Sequence, residues 1–177
     1  AVLLPEKKFR DRVYETGLDV IALSRIFSKS CSQVLFRMGE VLQGRLFFYG
    51  ALYESDASDG SKWAVTYWTG SRDKDYDSKI YGIERLFPKK GRQAPAGSLV
   101  DLAVKERRAQ LVNRISLSSN IRHGKDELAA IAKPQIRKGT EVEKVALIVL
   151  RTHDIHLIEP QIESLKPTIT EDFHRYF

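Results

Sequence analysis

The sequence is short of the groups on which much enzyme chemistry depends. One of its 177 residues is cysteine, Cys31, which excludes an internal disulfide and makes a reducing, cytoplasmic compartment the expectation. No apolar run approaches the roughly 18 residues of a membrane span, so no membrane partner is expected. The apolar start, Ala1 to Leu4, is too short for a secretory signal. His-Glu-x-x-His, the Gly-x-Ser-x-Gly elbow and Gly-x-x-x-x-Gly-Lys-[Ser/Thr] are all absent, which removes the recognisable forms of zinc peptidase, serine hydrolase and phosphate-loop enzyme. Internal repeats and low-complexity tracts are missing too.

The reactive residues that remain read as structural or solvated. Cys31 opens a predicted helix, where a thiol pKa can fall, but it has no Cys or His at ligand spacing and is expected to be buried. His153-Asp154-Ile155-His156 offers two imidazoles and a carboxylate without the second acidic cluster a zinc site requires, and is read as a solvated loop. Lys89-Lys90-Gly91 is a basic surface loop. The chain is therefore expected to carry no catalytic residue, no metal and no cofactor, and not to be an enzyme by itself.

What is present is an ordinary globular composition, 42% hydrophobic and 29% charged, with a net charge of +6 that permits but does not demand contact with nucleic acid. Pro5 to Val13 predicts a short helix stopped by Gly17. Leu18 to Phe27 carries apolar residues at helical spacing, with Asp19 near the positive helix start. Ser30 stands three residues before Gln33, the spacing of a capping box, and opens a third helix that buries Val34, Leu35, Met38, Val41 and Leu42.

At Gly44 the period changes. Arg45 to Glu54 and Lys62 to Trp68 predict an aromatic hairpin around the Ser55–Ser61 turn cluster. Gly70 to Ser78 and Lys89 to Gly97 predict loops, with Ile80 to Phe87 between them as a strand or a helical turn. Ser98 predicts a capped helix to about Arg108, and Ala109 to Leu117 a strand. Ser118 to Glu127 is expected to be loop. Leu128 to Ile136 and Val142 to Leu150 are two further strands, the second continuously apolar and central. A terminal helix is expected from Pro160, interrupted at Pro167 before Phe173. The organisation is thus a helix-turn-helix-like unit, 1–44, followed by a domain spanning 45–177.

Two groups of residues are candidates for function. In the helix pair, Lys29, Ser32, Gln33 and Arg37 are placed to contact DNA phosphates and base edges, or a protein partner; the other reading is a packing hairpin. In the aromatic strands, Phe48, Tyr49, Trp63 and Tyr67 are candidates to line a pocket for a small-molecule signal, or else are core.

The first quarter of the chain resembles the end of the ImmA/IrrE-type metallopeptidases, which include the IrrE/PprI radiation-response regulators. Ala1, Leu3, Leu4, Pro5, Glu6 and Phe9 are similar to the stretch that follows that family's third metal ligand. Leu23, Phe27, Ser30, Gln33, Val34, Arg37 and Met38 are similar to its helix pair. The chain departs from the pattern where Val2 or Leu4 replaces a Met, Lys29 an apolar residue and Met38 a Leu.

The remainder resembles, in element order, the GAF-type sensor that follows the helix pair in the radiation-response branch. With Cys31 outside that sensor, covalent tetrapyrrole attachment there is excluded. The resemblance implies an α+β fold: a helical unit, then a GAF-like domain with a mostly antiparallel sheet and flanking helices. It implies the regulatory fragment of a stress regulator whose missing peptidase, a zinc enzyme, cleaves a repressor. The alternative is a stand-alone DNA-binding regulator with a ligand-sensing domain. Expected partners are DNA, a repressor protein and an unidentified small-molecule signal.

Overall fold

The computed structural model describes residues 5–56, 58–74, 86–116, 127–139, 141–162 and 168–170. The expectations for Ala1 to Leu4, for residues 75–85, for the polar stretch 117–126 and for Phe173 lie outside them.

Three helices come first: α1 (Glu6–Glu15), α2 (Val20–Phe27) and α3 (Cys31–Leu42). α1 buries Phe9 and Val13 and ends where Gly17 and Leu18 both turn left-handed, at φ +68° and +59°. A left-handed Leu costs roughly 1 kcal/mol, a cost offset here because the turn delivers the Leu18 side chain, fully buried, into the helical core. Asp19 caps α2 by accepting from the Ala22 amide at 3.0 Å, so it is the cap rather than a first-turn residue. The capping box at α3 is complete. Ser30 Oγ accepts from the Gln33 amide at 3.2 Å, and the Ser30 amide donates to Gln33 Oε1 at 3.1 Å.

The strands are β1 (Phe48–Asp56), β2 (Asp59–Ser71), β3 (Gln110–Ser116), β4 (Glu127–Ile136), β5 (Val142–Arg151) and β6 (Thr168–Thr170). They form one sheet in the order β2-β1-β5-β4-β3-β6, antiparallel throughout except where β6 joins β3 in parallel. Helix α4 (Leu99–Glu106), capped by Ser98 Oγ on the Asp101 amide, lies between β2 and β3 in sequence. This is the expected α+β plan of a mostly antiparallel sheet with flanking helices. β5 is central and buried on both faces, which is why its sequence is a continuous apolar run rather than an alternation. Pro134 lies in β4 beyond the point where β3 begins pairing, where β4 has a partner on one side.

Each sheet face has its own core. On one, Phe48, Leu52, Ile131, Ala146, Ile148 and Leu150 pack with Phe9, Leu18, Leu23, Leu35, Met38 and Leu42 of the helical unit. On the other, Tyr49, Ala51, Tyr53, Val145, Leu147 and Val149 pack with Leu99, Val100 and Ala103 of α4. Helix residues before Gly44 and strand residues after it therefore share one hydrophobic cluster. Asp19, almost fully buried, adds an ion pair to Lys133 of β4.

The end of the chain differs from the expected terminal helix. A 3-10 segment runs from Thr152 to Ile158 and passes into α5 (Glu159–Ile162), a single turn containing Pro160. His153 to His156 lies in that segment rather than in a loop. Past Pro167 the chain pairs as strand β6, because Thr168-Ile169-Thr170 is β-branched and the outer edge of β3 is open to it.

Candidate functional site

One extra residue in β2 decides which aromatic rings meet. Leu52 pairs with Tyr67 and Tyr53 with Val65, so Thr66 is the extra residue of a β-bulge. Because side chains alternate across a strand, the bulge reverses the facing of everything beyond it. Trp63 and Val65 lie on the α4 face; Tyr67 packs against the helical-unit cluster instead. Trp68 then comes round to the α4 face and stacks on Tyr49, ring centroids 6.3 Å apart.

Around that stack is a cleft of about 270 Å³ lined by Phe47, Tyr49, Trp68, Ser71, Arg72, Phe87 and Lys89, with Phe48 and Gly70 contributing to its wall. A side chain at Gly70 would bring its Cβ within 3.0 Å of the Phe48 carbonyl oxygen, which keeps this stretch of wall bare. Tyr49 organises the rest. Its ring stacks on Phe87 at 4.6 Å, and its hydroxyl donates to the Pro88 carbonyl at 2.5 Å. The segment bearing Phe87 and Lys89 is thereby tied to the sheet, and burial holds the Tyr49 phenol well above its ordinary pKa.

Lys89 places its ammonium 3.7 Å from the centre of the Trp68 ring, within cation–π range. At the end of β5, Arg151 lies 5.0 Å from the Phe47 ring centre and pairs with Asp73 at 2.6 Å. The Ser71 hydroxyl donates to the Leu46 carbonyl at 2.5 Å.

Of the residues singled out from sequence, Tyr49 and Phe48 border this cleft, Phe48 with its ring in the opposite core. Trp63 is buried in the α4-side core, and Tyr67 is on the other face. Sequence reading missed Trp68, Phe87, Phe47, Arg72 and Lys89 as lining. Phe47 stood in the aromatic run and Lys89 in the basic loop, but nothing local marked the two as neighbours of Trp68.

The second group is on the helical unit. Ser32 Oγ is 3.1 Å from Ser30 Oγ, the Gln33 side chain is committed to the capping box, and Arg37 pairs with Glu40 at 2.9 Å. Lys29 is half-buried at the turn, its carbonyl accepting from Ser24 Oγ at 2.5 Å. The most exposed apolar residue of α3 is Phe36, 57% exposed, which sequence reading did not single out although it shares the outward stripe with Gln33 and Glu40. Among the described residues, no group of three or more His, Cys, Asp or Glu is arranged to hold a metal, and no helix is long and apolar enough to cross a membrane.

No known protein family and no curated protein matches the chain. Among solved structures it is similar to one described as a GAF domain, with 13% identity over 83% of this chain and 76% of that one, at a TM-score of 0.43. It is similar also to fRMsr of Staphylococcus aureus in its reduced form, 14% identical over 90% and 96%, TM-score 0.42. A third is an IcIR transcriptional regulator from Alicyclobacillus acidocaldarius, 8% identical over 90% and 93%, TM-score 0.39. None of these three is described as an ImmA/IrrE-type metallopeptidase.

Proposed function

We propose that the chain is the sensory part of a regulatory protein, in which a small molecule occupies the aromatic cleft and its binding is passed to the helical unit. The observation that carries this reading is the cleft itself: aligned aromatic rings with a few cationic groups, the composition of small-molecule sites. A thermal-shift screen of small metabolites tests it. A compound at a hundred times its Kd adds about 2.7 kcal/mol of stability, and Trp68→Ala removes the gain. A screen in which every stabilising compound acts equally on Trp68→Ala refutes the reading.

The finer reading joins this sensor to an ImmA/IrrE-type regulator that cleaves a repressor, and its support is the residue pattern from Phe9 to Met38. For the output surface, Phe36 on the outer face of α3 favours a protein partner over direct contact with DNA, since Gln33 and Arg37 are already engaged within their own helix. An electrophoretic shift that weakens with salt and is lost in Arg37→Ala and Gln33→Ala would instead support the DNA-binding alternative.

A further inference from the structure

We infer that the outer face of α3 pairs with the same face of a second copy of this chain, the two helices running antiparallel about Phe36. This rests on the reading above that a protein covers Phe36, and it names that protein. Two features of the helix lead there.

The first is an uncovered stripe. α3 buries Cys31, Val34, Leu35, Met38, Val41 and Leu42 on one side. On the other, Gln33, Phe36 and Glu40 are exposed. Steps of three and then four residues set these in line along the helix, which is the spacing of a coiled-coil seam. Phe36 stands in the middle of that line and, at 57%, is the most exposed large apolar side chain among the described residues. Covering its ring removes apolar surface from water, and a second copy brings a matching ring to do so.

Charge is the second feature, and it selects a second copy. A face that meets its own copy across a two-fold axis presents each of its charges to the same set, so a face with net charge repels itself. The chain as a whole carries +6, and α1 has seven charged side chains in its ten residues. α3 has two in twelve, Arg37 and Glu40, and they pair with each other at 2.9 Å. In a basic protein, this helix offers a face without self-repulsion. The same residues fix the direction. Parallel helices in register would set Glu40 against the partner's Glu40. With Phe36 against the partner's Phe36, antiparallel helices instead set Glu40 beside the partner's Ser32 and Gln33, in the first turn, where the positive helix pole favours a carboxylate. Twelve residues of helix span about 18 Å, so the contact belongs with the small, transient interfaces below about 1,200 Å².

Sedimentation equilibrium of the full chain from about 1 μM to about 1 mM tests the pairing. A reversible monomer–dimer equilibrium of micromolar or weaker affinity is expected. Phe36→Glu weakens it about a hundredfold and Phe36→Ala about tenfold, since each dimer loses two rings at its axis. Both variants unfold at the wild-type temperature when dilute, because the ring is largely outside the core. Gln33→Glu keeps a residue able to complete the capping box, and repulsion from the partner's Glu40 weakens the dimer about threefold. Adding Glu40→Lys to the same chain restores it. A monomer throughout the range, or a dimer equally tight in Phe36→Glu and Phe36→Ala, overturns the proposal. Further weakening in the double variant overturns the antiparallel arrangement, since parallel helices would then set like charges together at both positions.

Failure here and failure of the sensor reading are distinguishable. If the chain is monomeric while a compound stabilises the wild type and not Trp68→Ala, the sensor reading stands and the second copy falls. If Phe36→Glu breaks a dimer while every stabilising compound acts equally on Trp68→Ala, the pairing stands and the sensor reading falls.

Discussion

The joint between the helical unit and the sheet rests on a glycine. Gly50, the third residue of β1, lies under Leu35 of α3, and a Cβ added there would come 2.6 Å from Leu35 Cδ2. Carbon atoms in contact settle at about 3.5–4.0 Å, so the overlap is about 1 Å. Leu35 is fully buried and has nowhere to retreat without disturbing its neighbours. Gly50→Ala therefore overpacks the core at a cost of about 1–3 kcal/mol. Part of this is returned, because alanine lowers the entropy of the unfolded chain by about 0.4–1 kcal/mol, and Gly50 is not among the left-handed glycines that would strain an alanine. A net loss of about 1–2 kcal/mol is expected for the single variant. Leu35→Ala alone costs about 2–5 kcal/mol through its cavity. In that background the closest overlap is gone and the contacts of the added methyl with Phe48 at 3.1 Å and Ile148 at 3.2 Å remain, so Gly50→Ala costs clearly less than it does in the wild type. The coupling between the two sites is then about 1–3 kcal/mol. Urea unfolding of the four proteins, compared at constant m-value, measures it. If Gly50→Ala costs the same in both backgrounds within about 0.5 kcal/mol, α3 is not seated on β1 as described.

Other contacts carry expectations of their own. Tyr49→Phe keeps the ring stack and leaves the Pro88 carbonyl without its donor; a loss of about 1–2 kcal/mol in chemical unfolding is expected, and an unchanged midpoint would show the bond to be idle. At Asp19, which both caps α2 and pairs with Lys133, Asn preserves the cap and gives up the charge. Asp19→Ala should then cost about 1 kcal/mol more than Asp19→Asn, and equal costs would deny the cap its role. The third concerns pH. Burial raises the pKa of both Tyr49 and Tyr53, so above about pH 10 the unfolded tyrosines release protons that the folded ones retain. Stability is intact below that pH and falls above it by up to about 1.4 kcal/mol per unit for each tyrosine; the fall of the urea midpoints across that range should be shallower in the Tyr49→Phe, Tyr53→Phe double variant, leaving the smaller part due to Tyr14 and Tyr67, whose phenols burial also raises, and a slope as steep as the wild type's refutes the assignment.

The features legible in the sequence were those whose cause is local. Ser30 and Gln33 declare a capping box because both partners lie within one turn, and the apolar run of β5 declares a strand covered on both faces. Ser98 announces α4 by the same logic. Thr66 announces nothing. A bulge depends on how β2 registers against β1, and no residue type in Ala64 to Trp68 requires it. The consequence is large: Trp63 and Tyr67, which strict alternation would put on one face, lie on opposite ones. The contact of α1 to α3 with the sheet is invisible for a related reason. Each apolar stripe states that it must be covered, and only the tertiary arrangement states by what. Lys133 beneath Asp19 and Lys89 over Trp68 are likewise meetings of distant segments, without periodicity to foretell them.

β1 is where the cleft and the helical unit come closest in covalent terms. Its odd-numbered residues, with Phe47 just before the strand, form cleft wall and α4-side core; its even-numbered residues, Phe48, Gly50 and Leu52, face the helices. Successive side chains of one strand cannot move independently, since the backbone that turns Tyr49 also turns Phe48 and Gly50. The helical side has little slack. Gly50 accommodates Leu35 with no room for a methyl, and Gly39 of α3 would place a Cβ 2.6 Å from Thr69 Oγ1 on β2, one residue beyond Trp68. Close-packed contacts of this kind transmit displacement rather than absorb it. A ligand that alters the spacing of Tyr49 and Trp68 therefore acts on two points where α3 is seated, and the outer face of that helix carries the exposed Phe36. In the sensor proposed above, a ligand shifts the seating of α3 only by as much as it favours one arrangement over the other, so that under this proposal the fit between guest and rings, more than raw affinity, would set the output.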